Sequence, residues 1–291
     1  MHFALINNNR VEAQPQLKGL CSCCAKPVIA KCGTRKIWHW AHKNKTECDN
    51  WWEPETEWHR AWKNNYPAEW QEIHLFNERT SEKHIADVRT SHNLVIEFQH
   101  SHIEPQERTS REQFYKNMVW VVDGTRLKRD YPRFLKGKKN CFENTIFYDT
   151  DNPKIFQVDL IDWCFPTAWL ESSVPVLFDF RGDGKMDDPE GLRNTLYCLF
   201  PQIGRYARVV EISRTAFINT TTNGEWALRV QEFINDYSEQ DKIEQQKQQQ
   251  TISHTSNKVT YTWRGIPLIG GYREYKRRLW TQNKSNRKGR R

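Results

Sequence analysis

The chain has 291 residues and a formal net charge of +8, a length that fits one large domain or a medium domain with small appendages. Thirteen tryptophans favour a compact core over disorder, and a mean hydropathy of −0.88 indicates a very polar surface. No apolar run approaches the roughly 20 residues that span a bilayer, and the first residues lack the order of a secretory signal. We therefore expect a cytoplasmic location and no membrane partner.

Residues 1–50 contain short strand-like pieces around five clustered cysteines. In a reducing compartment, clustered Cys with nearby His indicates a metal site. Cys21 and Cys24 form a C-x-x-C pair, and residues 26–37 can form a hairpin that returns the chain toward further ligands. Zinc takes four nitrogen or sulfur ligands in a tetrahedron. The expected zinc ligands are Cys21, Cys24, His42 and Cys48.

The sequence leaves alternative ligands possible at this metal site. His39 is the main alternative to His42, whereas Cys23 and Cys32 are weaker alternatives. No open position or general base is evident near the cluster, which favours a structural metal. A zinc-ribbon-like module of about 50 residues buries too little apolar surface to fold without its metal.

Residues 51–185 alternate helical and strand-like patterns. The predicted elements are a helix at 54–65, strands at 71–76, 84–90 and 94–99, a helix at 104–117 and a strand at 119–124. The first helix starts with Pro and acids, a turn at 91–93 joins the second and third strands, and the last strand is wholly apolar, as in a sheet centre. An α/β fold with a helix crossing between strands follows.

Two acids lie in otherwise apolar strand segments of this middle region. Asp87 follows Ile85 and Ala86, and Glu97 lies between Ile96 and Phe98. Because the two strands are expected to pair as a hairpin, the acids can meet on one face, with Gln99 on the same face as Glu97. Carboxylates held in this way bind Mg²⁺ or Mn²⁺ against a phosphate oxygen and a water molecule. Alternatively, they are ordinary outward-facing acids.

The two predicted helices add further polar candidates. Glu55, His59 and Lys63 are spaced i, i+4, i+8 and share one stripe of the first helix, beside a Trp stripe that we assign to the core. The polar stripe either lies beside the two acids and contacts substrate phosphate or metal-bound water, or it is only a solvated, salt-bridged face. Arg111 and Tyr115, again at i and i+4, lie on the second helix and are candidates for contact with a substrate phosphate.

The rest of the chain is less informative. Residues 186–238 carry apolar pieces and end in an amphipathic helix at 225–237, and their role is open. Residues 239–258 are Gln-rich and predict a linker or a solvated helix. The tail at 259–291 is basic: residues 272–291 hold nine Lys or Arg and one Glu, a net of +8, so residues 1–271 are neutral with 35 basic and 35 acidic residues. Such a tail either contacts phosphates or only solubilises the terminus.

In this order, the motifs resemble those of the competence protein CoiA-like family, a group of PD-(D/E)XK nucleases, over roughly residues 15–180. The similar segments are Cys21 with Cys24, His39-Trp40-Ala41-His42, Glu55-Thr56-Glu57-Trp58-His59 with Lys63, Ile85-Ala86-Asp87-Val88, Ile96-Glu97-Phe98-Gln99-His100-Ser101, and Arg111 with Tyr115 ahead of Val119-Trp120-Val121-Val122-Asp123-Gly124.

The resemblance implies a PD-(D/E)XK restriction-endonuclease-like core and a DNA-processing role in transformation or recombination, with partners from DNA uptake or recombination. It also implies that Asp87 and Glu97 are metal ligands. Gln99 occupies the position where most such nucleases carry Lys, and Lys63 or Arg111 can supply the missing positive charge. The alternatives to a DNA nuclease are a non-catalytic DNA-binding recombination accessory protein and a partner-binding scaffold.

Overall fold

The computed structural model describes residues 1–44, 48–51, 53–142, 147–148, 154–181, 195–204 and 206–255. The chain divides into two compact units, Met1–Tyr237 and Ser238–Arg291. The predicted basic tail at 259–291 lies outside the described residues. None of the described helices combines the length and the apolar character needed to cross a lipid bilayer.

The described strands and helices alternate along the chain. The strands are β1 (Phe3–Ile6), β2 (Asn9–Glu12), β3 (Lys18–Leu20), β4 (Pro27–Lys31), β5 (His39–His42), β6 (Gln71–Asn77), β7 (Glu82–Arg89), β8 (Val95–Gln99), β9 (Met118–Asp123), β10 (Phe147–Tyr148), β11 (Lys154–Val158), β12 (Val176–Asp179), β13 (Thr195–Leu199) and β14 (Ala207–Ser213). The α-helices are α1 (Glu57–Lys63), α2 (Pro105–Tyr115), α3 (Asp130–Gly137), α4 (Arg214–Thr222) and α5 (Glu225–Thr255). Short 3-10 or π turns cover Ala68–Trp70, Lys138–Phe142, Ile161–Trp163 and Thr167–Trp169.

Within the described residues, the strands form two sheets. The first is antiparallel with the order β2-β1-β3-β4-β5, and the second has the order β10-β11-β14-β13-β12-β9-β8-β7-β6. In the second sheet β8, β9 and β12 are parallel, while the flanking pairs are antiparallel. The predicted mixed α/β class is confirmed, and the predicted order of helix, three strands, helix and strand corresponds to α1, β6 to β8, α2 and β9.

Two boundaries differ from the sequence prediction by more than two residues. The first helix begins at Glu57 rather than at 54, because Thr56 caps it: the Thr56 side chain accepts a hydrogen bond from the His59 N–H. The helix predicted at 225–237 extends to Thr255, through most of the Gln-rich segment, since Gln, Glu and Lys are favourable helix residues. The region of open role, 186–238, contributes β13 and β14 to the larger sheet.

The apolar run at residues 118–122 of β9 reflects burial on both faces of the larger sheet. Trp120 and Val122 belong to one apolar cluster, whereas Val119 and Val121 belong to another. Side chains alternate between the two faces of a strand, so a strand covered on both sides has no polar face. β9 therefore forms the centre of the core, and the polar residues that could act chemically lie at the ends and edges of its neighbours.

A buried carboxylate attaches α1 to this core. Asp179, at the end of β12, is 1 % exposed and accepts hydrogen bonds from the indole N–H groups of Trp58 and Trp62 at 3.0 and 2.9 Å. Its other oxygen accepts from the backbone N–H of Arg181 and from the guanidinium of Arg214 at 2.6 Å. The Trp stripe of α1 thus faces the sheet, which turns the polar stripe toward β7 and β8.

We expect Asp179→Ala to destabilise the protein by about 3–5 kcal/mol, because both indole groups and the guanidinium would lose their buried acceptor. Asp179→Asn keeps one acceptor oxygen and should cost less. Urea unfolding followed by circular dichroism measures the loss, and Asp236→Ala, at an exposed position on α5, is the control. A loss below about 1 kcal/mol for Asp179→Ala would show that this carboxylate does not hold α1.

Candidate functional site

Four side chains of the N-terminal region converge on one point. The ligand atoms of Cys21, Cys24, His42 and Cys48 all lie within 4.8 Å of one another. Cys21 Sγ lies 3.7 Å from Cys48 Sγ, and Cys24 Sγ lies 3.2 Å from His42 Nε2. A tetrahedral zinc with Zn–S bonds of about 2.3 Å separates two sulfurs by about 3.8 Å. The group therefore has the composition and spacing to hold a metal such as zinc.

A tight turn and a hairpin produce this convergence. Between β3 and β4, the Ala25 N–H donates to the Cys21 carbonyl, and the Cys21 N–H donates to the Lys26 carbonyl, both at 2.9 Å. β5 returns antiparallel to β4 with His42 opposite Val28, which brings the histidine back beside the turn. The Cys48 thiol lowers the pKa of the Cys21 thiol, as do the backbone N–H groups of the turn, and the thiolate is the form that binds metal.

The alternative ligands lie outside this group. His39 forms a 2.8 Å hydrogen bond from its Nδ1 to the Ile37 carbonyl. Among the described residues, neither Cys23 nor Cys32 belongs to a group of three or more side chains spaced for one metal ion. The structure therefore favours His42 over His39.

We expect protein purified without added metal to contain about one zinc per chain. His42→Asn should reduce the zinc content sharply, because an incomplete tetrahedron binds the metal weakly. His39→Asn is the matched control, since it removes a neighbouring histidine outside the group. Elemental analysis of the three proteins checks this, and equal zinc content in parent and His42→Asn would contradict the assignment.

A second polar site lies where β7 and β8 stop pairing. The ladder runs through Val88–Ile96 and Arg89–Val95. Beyond the Val88–Ile96 pair, hydrogen bonds to side chains take the place of the backbone ladder. The Asp87 N–H donates to Glu97 Oε1 at 3.1 Å, and the Phe98 N–H donates to Asp87 Oδ2 at 3.0 Å. The two acids expected to meet across the hairpin therefore lie together, and both line a cavity of about 70 Å³.

Each of these acids has a cation beside it. Lys63 Nζ lies 3.8 Å from Asp87 Oδ1, and Arg111 Nη1 lies 3.2 Å from Glu97 Oε2. This compensation is incomplete: burial, followed by the charge of Asp87, raises the pKa of Glu97 to about 8. Burial also raises the pKa of Asp87, although Lys63 opposes it. Burial therefore outweighs the effect of the two neighbouring cations on the pKa of both acids.

Lys63 lies inside a ring of carboxylates. It is 2 % exposed, and its Nζ lies 2.8 Å from Glu55 Oε1 and 3.4 Å from Glu72 Oε1. Burial lowers the pKa of Lys63, but Glu72, Glu55 and Asp87 together raise it above its ordinary value. Lys63 is therefore a fixed ammonium. Glu55 lines the same cavity and also pairs with Arg60 at 3.0 Å.

Glu53 is a cavity residue that the sequence reasoning missed. It accepts hydrogen bonds from the Gln99 side chain at 3.0 Å, from the His100 N–H at 3.1 Å, and from His59 and Ser101. Burial raises the pKa of Glu53, but these donors outweigh it and lower that pKa to about 2. Its only local signal was its place two residues before Glu55. Its partners β8 and α1 come together only in the folded chain.

His59, in the first turn of α1, hydrogen-bonds Glu53. Its Nδ1 accepts from the Thr56 N–H at 3.3 Å, which closes a capping box, so the proton lies on Nε2 and is donated to Glu53. His59 lines the cavity, yet both of its ring nitrogens are engaged. Its position supports an orienting contact to Glu53.

Of the three remaining candidate site residues, one lines the cavity and two do not. Arg111 lines the cavity but is held by Glu97 and Glu107 and by the Trp51 carbonyl. Gln99 and Tyr115 are not among the residues that line it. The Gln99 amide is bound to Glu53, and Tyr115 packs 5.9 Å from the Trp51 ring in the core.

The cavity residues fit a divalent cation with oxygen ligands. Mg²⁺ in proteins is bound by one or two carboxylates together with water and substrate phosphate oxygens. Asp87 and Glu97 supply two carboxylates, and the raised pKa of Glu97 reflects a site where added positive charge would favour the ionised form. Among the described residues, the cysteine–histidine group alone offers three or more side-chain ligands within 4.8 Å, so a cation here would depend on water or phosphate for its other ligands.

The free energy of unfolding of the metal-free protein should depend on pH through Glu97. Its pKa rises from an ordinary value of 4.5 to about 8 on folding. Its contribution to stability is therefore complete below about pH 4.5 and is lost as the pH rises to about 8. Glu97→Gln stays neutral and should lose less stability over this window.

Urea unfolding in EDTA at several pH values tests this, with Glu82→Gln at an exposed position of β7 as the control. The control should follow the parent. Identical pH dependence in Glu97→Gln and the parent would show that Glu97 is ionised throughout the window.

Comparison with known protein families gives two matches. Residues 6–50 match the N-terminal domain of competence protein CoiA, and residues 78–163 match its nuclease-like domain. The first match contains the cysteine–histidine group, and the second contains Asp87, Glu97, Gln99, Arg111 and Tyr115. No curated protein and no solved structure matches the chain. Both matches agree with the family resemblance drawn from the motifs.

Proposed function

We propose that this chain, which belongs to the CoiA-like competence protein family, is a metal-dependent nuclease that hydrolyses phosphodiester bonds in DNA at Asp87 and Glu97. The observation that carries the proposal is the break in the β7–β8 ladder, where two carboxylates lie together in one cavity with cations beside them. A scaffold would have no need to place two repelling acids side by side at the point where two strands separate.

The architecture supports a PD-(D/E)XK core. α1 precedes the antiparallel strands β6, β7 and β8, and α2 then crosses to β9, which is parallel to β8. In the motif of this superfamily, the first acid and the Glu of the Glu-x-Lys element come from adjacent strands. Asp87 on β7 and Glu97 on β8 take these places, and Gln99 stands where the lysine usually lies.

Lys63 supplies the missing cation from a different element. Its ammonium reaches Asp87 from α1 at 3.8 Å, while Gln99 is engaged by Glu53. A fixed positive charge beside the acids can stabilise the negative charge that develops on a phosphate. Glu53, His59 and Glu55 hold this arrangement in place through the contacts described above.

In this mechanism Asp87 and Glu97 would hold Mg²⁺ or Mn²⁺, and the chemistry that such a cation would supply is Lewis-acid activation of water and of the phosphate. Arg111 orients the Glu97 carboxylate, and Lys63 orients that of Asp87. We assign zinc to the cysteine–histidine group as a structural ion, because all four ligands come from the protein. The expected setting is DNA uptake or recombination, with proteins of those processes as partners.

The parent protein should cleave DNA with Mn²⁺ or Mg²⁺ and not with EDTA. Asp87→Asn and Glu97→Gln should each lower the rate about 100-fold or more, since each loses a metal ligand. These isosteric changes keep an oxygen that can accept the cross-strand N–H group. Linear, circular and single-stranded DNA are the substrates, and gel electrophoresis follows their loss.

Glu82→Gln, on the same strand as Asp87, is the matched control and should cleave as the parent does. Unchanged cleavage by either site variant would remove the nuclease assignment from this cavity. DNA binding without cleavage under any of these metals would favour the non-catalytic accessory protein.

A further inference from the structure

A short segment after β9 holds a large excess of positive charge. Residues 126–139 contain seven Lys or Arg and one Asp, a net of +6. Residues 1–271 as a whole have 35 basic and 35 acidic residues, so everything else in that stretch carries a net charge of −6. Residues 18–45 around the cysteine–histidine group hold a comparable excess, with seven Lys or Arg and no Asp or Glu, so the positive charge outside the tail is concentrated in two segments, of which residues 126–139 lie next to the larger sheet.

Most of these cations are free to meet a ligand. Arg126, Lys128, Arg129, Lys136 and Lys139 are exposed and form no ion pair among the described residues. Lys138 pairs with Glu211 at 3.4 Å, and Arg133 lies 3.8 Å from Asp130. Like charges repel, and keeping five of them unpaired on and beside one short helix costs stability, which a polyanionic partner would recover.

An exposed aromatic ring lies beside these cations. Trp163 is 50 % exposed. Its backbone packs against the end of α3, since a Cβ added at Gly137 would lie 2.7 Å from the Trp163 carbonyl oxygen. Leu127 and Leu135 on the same segment are also exposed, at 47 % and 37 %. Cations interleaved with apolar and aromatic groups suit a partner with both phosphates and bases.

This surface adjoins the proposed catalytic site. A cavity of about 200 Å³ is lined by Arg126 and Arg133 from the basic segment and also by Gln99 and His100 from the end of β8. The Gln99 amide donates to Glu53, and Glu53 lines the cavity of Asp87 and Glu97. Gln99 Oε1 is buried and has no hydrogen-bond partner among the described residues.

We propose that Arg126, Lys128, Arg129, Lys136, Lys139 and Trp163, here called the α3 face, bind single-stranded DNA and lead it to the acidic cavity. The cations contact phosphates, and Trp163 stacks on an unpaired base. This inference rests on the proposed function for its substrate and deepens it by naming the surface and the strand form. Bases in a duplex are already stacked on one another, so the exposed ring gains a partner only from a single strand.

Binding is measured in EDTA by fluorescence anisotropy of labelled oligonucleotides, so the result does not depend on cleavage. The full-length triple variant Arg126→Gln, Lys128→Gln, Arg129→Gln should bind single-stranded DNA about tenfold or more weakly. Its slope of log Kd against log salt should fall by about 2, since each lost phosphate contact on a single strand contributes about 0.7.

The matched control removes the same charge elsewhere. Arg79→Gln, Lys116→Gln and Arg229→Gln, all at exposed positions outside the α3 face, should leave the Kd and the salt slope close to those of the parent. Circular dichroism confirms folding of both triples. An equal loss in the two triples, or none in the first, would overturn the α3 face as the binding surface.

Trp163→Ala tests the strand form. It should weaken binding to single-stranded DNA about fivefold or more and change duplex binding little. Equal effects on the two forms, or no effect on either, would overturn the stacking role and the single-strand preference. Tighter binding to RNA than to DNA of the same sequence would overturn DNA as the occupant. Intact binding by a parent that cleaves nothing would sustain this inference while removing the nuclease activity.

Discussion

The buried carboxylate of Asp179 determines where α1 lies, and the candidate site depends on α1. By accepting both indole N–H groups of one helical stripe, it fixes the helix about its own axis. Lys63 and His59 lie on the other stripe and are directed at Asp87 and Glu53. Arg214 from α4 neutralises Asp179 and lies 4.1 Å from the centre of the Trp62 ring. A region that gave no functional signal in the sequence thus helps to orient the acids' partners.

Charge balance is the second constraint. Six carboxylates line the smaller cavity, and Lys63, Arg60 and Arg111 form ion pairs with four of them, Glu55, Glu72, Asp87 and Glu97. The raised pKa of Glu97 and the lowered pKa of Glu53 show that this distribution is uneven. Glu53 is fully supplied with donors, whereas Glu97 competes with Asp87 for positive charge. This unevenness separates Glu53, which is held by hydrogen-bond donors, from Asp87 and Glu97, which we propose as cation ligands.

The N-terminal sheet also contributes to the site. The His2 and Phe3 N–H groups donate to Glu72 at 2.7 and 3.1 Å, and Glu72 is one of the partners of Lys63. At the cysteine-rich turn, Ser22 hydrogen-bonds His74 on β6 at 2.9 Å, and Lys83 on β7 donates to the Cys23 carbonyl. Folding of the cysteine–histidine module is therefore coupled to the strands that carry the acids. A metal held by the cysteine–histidine group would therefore influence the cavity of Asp87 and Glu97 through these contacts.

The sequence by itself determined the local features: the strands, the crossover helix, the C-x-x-C turn and the two acids in apolar strands, because each is encoded by periodicity or spacing within about 20 residues. It also limited the metal ligands to a few and favoured His42, although His39 stayed open. The tertiary structure alone selected among contacts distant in sequence. It placed Glu53 beside Gln99 and His100, kept Gln99 and Tyr115 out of the lining of the cavity of Asp87 and Glu97, and left the cations of the α3 face exposed. These contacts depend on which elements pack next to one another around the larger sheet. No local pattern of residues encodes that packing.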